Sequence, residues 1–121
     1  MDQSEFAKLV EKAFGHLPEE FKKVIENVSI NVEDYPSEEI VQLMKLRSKY
    51  DLLGLYQGIP LPHRGTWYGM SPVTPDKISL YKENIERESH GDIEETIREV
   101  LLHEIGHYFG MSEEQIRSAG Y

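Results

Sequence analysis

The sequence predicts one domain, residues 1–121, that combines helices with short strands. Three observations predict it. Apolar residues recur at three- and four-residue spacing in several segments. Three short runs read as strands, bounded by glycine, proline or polar residues. A longer amphipathic segment, Asp92–Phe109, follows the last of those runs.

The elements follow in chain order. Ser4–Phe14 places Phe6, Leu9, Val10, Ala13 and Phe14 at helical spacing, and Gly15 stops the helix. Leu17-Pro18-Glu19-Glu20 opens a second helix, with proline in the tolerated first turn and acids on the helix dipole. Its apolar face is Phe21, Val24 and Ile25. Val28–Val32 alternates apolar and polar residues, as a half-buried strand does. Tyr35-Pro36 then breaks the chain. Ser37 caps a third helix through about Leu46, with Ile40, Val41, Leu43 and Met44 facing inward.

Leu52–Tyr56 is a second strand, bounded by Gly54 and Gly58, with Leu53 and Leu55 on one side. Gly58–Pro75 holds four of the six prolines and reads as a long loop or loose hairpin, a feature often tied to function. Lys77–Tyr81 is the third strand. Its stretch Ile78–Tyr81 is expected to flank a cleft, where a peptide can pair with a free strand edge. Asp92 with Glu95 has capping-box spacing at the start of the long helix, and Gly110 ends it. Ser112–Ile116 allows one more short helix.

Composition narrows the chemistry. A chain of 121 residues buries a sizeable core without covalent staples. It contains no cysteine, so a transition metal has only His, Asp and Glu to bind it. Net charge is −9, from 22 acidic and 13 basic residues, which opposes binding to phosphate backbones. The first residues lack the basic and apolar stretches of a secretory signal, and no apolar run reaches membrane length. The expectation is a cytoplasmic protein, monomeric or weakly oligomeric, without a nucleic-acid or membrane partner.

The chemistry lies in His103-Glu104-Ile105-Gly106-His107. Residues four apart share a helix face, so the two imidazoles converge on one point, and neutral imidazole suits Zn²⁺. Glu104 stands beside that point and can take a proton from metal-activated water. Ile93, Ile97, Val100, Leu101 and Tyr108 form one apolar arc, and Glu104 projects near its middle. A carboxylate there is costly unless compensated, and a metal with its water would compensate it.

A third ligand comes from downstream. Gly110 can take the left-handed conformation that ends a helix, after which the chain doubles back and presents Glu113. The pattern H-E-x-x-H-x-x-G-x-x-E has metzincin spacing, with Glu in place of the last His. Glu113 also fits as a first-turn acid of the final helix, and Glu114 is the next candidate ligand. His90, His63 and Arg64 read as surface residues, and Tyr108 as core.

The chain resembles the bacterial family of minimal zincin-like metallopeptidases. The resemblance rests on Leu53-Gly54-Leu55-Tyr56-Gln57-Gly58-Ile59-Pro60-Leu61, on Ile78–Tyr81 and on Val100–Glu113, and it extends from roughly Phe6 to Ile116. It implies a compact α+β domain, with a small mixed sheet packed on helices and the metal site on the long helix. It also implies His103 and His107 as ligands and Glu104 as the catalytic glutamate. The family usually carries Asp at the position of Glu113, and often a second His at the position of Tyr108.

The expected function is a zinc-dependent hydrolase with one Zn²⁺ ion, acting as a peptidase on a peptide or protein substrate. A non-catalytic zinc-bound interaction module is the alternative from another class. A metal-dependent RNA-processing hydrolase is disfavoured by the acidic balance and the lack of a basic stripe.

Overall fold

The computed structural model describes residues 1–24, 28–58 and 76–119. It contains α1 (Gln3–Gly15), α2 (Glu19–Val24), β1 (Ser29–Glu33), α3 (Glu38–Leu43), β2 (Gly54–Gln57) and β3 (Lys77–Tyr81). These are followed by α4 (Lys82–Glu88), α5 (Ile93–Tyr108) and α6 (Glu113–Ser118). The expected Ile25, and the loop residues 59–75 with His63 and Arg64, lie outside the described residues. So does the side chain of Val24.

The three strands form one sheet in the order β1-β3-β2, with β1 parallel and β2 antiparallel to β3. The fold is α+β with a small mixed sheet, as expected. Strand β3 is the middle strand, and Ile78 through Tyr81 are all buried. A strand covered on both faces loses the alternation that marks a half-exposed one. The expectation that Ile78–Tyr81 could offer a free edge is therefore corrected, because both of its edges are paired. The edge strand next to α5 is β2.

The core joins α1, β3 and α5 through Phe6, Val10, Ala13, Ile78, Leu80, Ile97, Leu101 and Ile105. Helix α1 begins with a complete capping box between Asp2 and Glu5. Its expected apolar stripe buries Phe6, Val10 and Ala13.

Two expectations fail on packing. Helix α3 ends at Leu43, and none of its residues is buried. Leu43 is 71% exposed and Met44 44% exposed, although both were expected to face inward. Periodicity identifies residues that share a face, but it does not say whether anything covers that face. The helix stops because Lys45 takes a left-handed conformation, φ 55°.

Helix α4 was not anticipated. It follows β3 with no glycine or proline between them, so no breaker marks its start, and Ile85 is its one aliphatic residue. The buried Asn84 on α4 donates from Nδ2 to the carbonyls of Lys49 (2.7 Å) and Leu52 (2.8 Å). Those bonds hold the chain as it enters β2. No helix among the described residues is long and apolar enough to cross a membrane.

Candidate metal centre

Helix α5 carries the expected motif and is set by its caps. Asp92 accepts a hydrogen bond from the Glu95 backbone N–H at 3.2 Å. At the other end, the Met111 N–H donates to the Gly106 carbonyl (3.0 Å), and Gly110 adopts φ 82°. That left-handed residue lets the chain turn back, as the sequence predicts. Ser112 and Gln115 then form a full capping box that starts α6.

The turn brings Glu113 onto both imidazoles. Its Oε1 lies 2.8 Å from His107 Nε2, and its Oε2 lies 2.8 Å from His103 Nε2. Glu114 is exposed, and neither ring contacts it. His107 Nδ1 lies 3.2 Å from the Met111 carbonyl, which can only accept a hydrogen bond. In the tautomer with its proton on Nδ1, the ring donates there and turns the Nε2 lone pair towards the carboxylate. At 2.8 Å only a proton fits on the line between the two atoms, and a metal ion would sit to one side and be shared by both. The donor chemistry of the cluster therefore fits a metal ion, and the contact from Met111 is the kind that orients a ligating imidazole.

Glu104 is 7% exposed. Its Oε1 accepts a hydrogen bond from the Tyr56 backbone N–H on β2 at 2.9 Å. Burial raises its pKa, while the nearby His107 and His103 oppose that rise. Glu113 is pushed the other way, chiefly by its hydrogen bond to His103. One donor atom from each of His103, Glu104 and His107 lies within 4.8 Å of the others, so Glu104 is close enough to compete as a ligand. The Tyr56 bond already engages one of its oxygens, whereas Glu113 spans both rings. His90 is exposed and stands apart from this group.

Two glycines make the approach of these elements possible. A Cβ on Gly106 would stand 2.8 Å from Cγ1 of Ile116, the fully buried anchor of α6. Gly106 thus lets α6 seat closely on α5 with Glu113 over the rings. A Cβ on Gly54 would stand 2.7 Å from Val100 Cγ1, so Gly54 lets β2 reach α5 and Glu104. The sequence reading assigned no role to Gly106, Tyr56 or Asn84. A glycine inside a helix costs about 1 kcal/mol relative to alanine, and that anomaly was the available signal at Gly106. The backbone bond from Tyr56 leaves no trace in side-chain pattern.

A long helix that carries paired imidazoles and a buried glutamate beside a small mixed sheet makes an α+β fold with a group of side chains able to hold a metal ion. The chain belongs to the zincin-like metallopeptidase family, whose model matches residues 25–121. Its fold is similar to that of a solved structure, a conserved hypothetical protein from Thermo thermophilus. The TM-score is 0.53 at 23% identity, over 98% of each chain. No curated protein matches the chain.

Proposed function

We propose that residues 1–121 form one zinc-dependent peptidase domain in which His103, His107 and Glu113 hold a single ion and Glu104 is the general base. The convergence of Nε2 atoms and the Glu113 carboxylate, 2.8 Å apart on two helices, carries this reading. Family membership supports zinc as the metal. When bound, zinc supplies the positive charge that polarises a carbonyl and acidifies water at neutral pH.

Glu104 takes the proton of the attacking water and returns it to the leaving amine. Its burial raises proton affinity, which suits the step in which it takes the proton. The Tyr56 N–H holds one oxygen still and leaves the other for this exchange.

The substrate is a peptide or protein strand, and it lies along β2 rather than β3. The Tyr56 N–H points at Glu104, away from β3. In an antiparallel pair outward-facing residues alternate, so the Gly54 backbone groups face away from β3, as does the Tyr56 N–H that Glu104 engages. A substrate strand can pair there by β-augmentation.

Metal analysis tests the ligand set. Stoichiometric zinc is expected in the wild type and in Glu104→Gln, and its loss in His107→Ala and Glu113→Ala. Zinc retained in Glu113→Ala would remove that ligand and point to Glu104 instead. Turnover of a peptide library tests the base, with a loss of about 10²–10⁴-fold expected in Glu104→Gln. Equal turnover in the two proteins refutes the mechanism. Zinc-dependent stabilisation with no turnover in either would instead support a non-catalytic zinc module.

A further inference from the structure

Two basins flank the cluster along the cleft between α5 and β2. On the His103 side lies a space of about 540 Å³ walled by Asp51, Glu99 and Arg117. On the His107 side lies a space of about 520 Å³ walled by Met44, Leu55 and Met111. Both basins border Gly54, Glu104 and Glu113, so the reacting centre stands between them.

Resting on the peptidase reading, we propose that this chain cleaves internal peptide bonds and selects its substrate through an apolar side chain seated between Met44, Leu55 and Met111. Room on both sides of the cluster lets a substrate chain run through the site. A site for chain ends would close one side of the cluster, and among the described residues neither side is closed. The two sides also differ in chemistry. The His103 basin is charged with both signs. Apart from the cluster's own carboxylates, the described residues lining the His107 basin carry no acid, lysine or arginine.

Met44 explains why this side is apolar. It stands 44% exposed at the end of α3 instead of joining the core. It also lines the basin, so its apolar surface is available to a substrate side chain. Methionine is unbranched and polarisable, and it adapts to apolar groups of several shapes. The expected class is therefore leucine, methionine and phenylalanine together rather than one residue. A basin of this size accommodates each of them.

The test uses zinc-loaded full-length protein on an unstructured protein substrate, with the new termini mapped by mass spectrometry. Internal cuts are expected, with Leu, Met or Phe enriched about tenfold over Asp at one residue flanking the cut. Met44→Lys and Met111→Lys should abolish that enrichment and admit acidic side chains. A second readout needs no turnover. Zinc-loaded Glu104→Gln should bind a leucine-containing peptide about tenfold more tightly than its aspartate counterpart by calorimetry.

Cuts confined to chain ends, or a preference unmoved in both lysine variants, would overturn this inference and leave the peptidase reading standing. Neither cleavage by the wild type nor peptide binding by Glu104→Gln would overturn both.

Discussion

The two halves of α5 obey different rules. The N-terminal part, taken through Leu101, presents Ile97 and Leu101, both fully buried against α1 and the sheet. Nothing in it is unusual for a core helix. The second half buries the Glu104 carboxylate and uses Gly106 where alanine would give a better helix. One helix thus has a half that stabilises and a half that gives up stability to build a site. The general lesson is that locally unfavourable choices in a regular element mark what its surroundings need.

Glu104→Gln and Leu101→Ala should separate the two halves most widely. Leu101→Ala leaves a cavity and is expected to cost about 2–5 kcal/mol, read from urea unfolding. Its zinc affinity should be unchanged in the folded protein. Glu104→Gln should do the reverse in metal-free protein. The folded pKa of Glu104 is raised, so its favourable contribution exists below its unfolded pKa and is lost as pH rises through the folded value. Burial disfavours the charged form of Glu104, and the amide oxygen of Gln can still accept from Tyr56. The metal-free variant should therefore melt higher than the wild type at pH 7. A lower melting temperature would show that the two halves do not differ in this way.

Gly106→Ala sharpens the contrast at a single atom. Inside the first half an alanine would favour the helix. At 106 its Cβ meets Ile116, and overpacking of this kind costs about 1–3 kcal/mol. Displacing α6 moves Glu113, so zinc affinity should fall about 10–100-fold, a loss typical of disturbed ligand support. Competition titration with a chelator measures it. Ile116→Val removes Cδ1, the second contact atom at 2.9 Å, and keeps Cγ1, so adding it should recover only part of the loss.

The smallest effect concerns the sheet beneath the helix. Burial raises the pKa of Tyr81, and the charge of Glu33 adds to the rise. A raised folded pKa means stability that is complete below the unfolded value, about 10, and lost as pH climbs through the folded one. Unfolding free energy should fall above about pH 10 in the wild type and fall less in Tyr81→Phe. Parallel curves for the two proteins would exclude Tyr81 as the source.

Legibility followed how local each feature is. The ends of α5, the strand β3 and the capped start of α6 were readable, because each depends on neighbours within a few residues. The buried position of Glu104 was readable because the apolar arc is a property of one helix. Helix α4 was missed because no breaker separates it from β3. The inward face expected of α3 was wrong because packing belongs to the partner as well. The choice between Glu113 and Glu114 stayed open in the sequence, since both sit in the first turn of α6.

The sequence by itself determined that two imidazoles and a carboxylate share one region of α5, because 3.6 residues per turn leaves no other arrangement. Only the tertiary structure decided that Glu113 meets both rings, that β2 is an edge strand of the described sheet, and that its Tyr56 N–H holds Glu104. Those depend on how closely separate elements approach, and that distance is set by what fills the space between them: Ile116 against Gly106, and Val100 against Gly54.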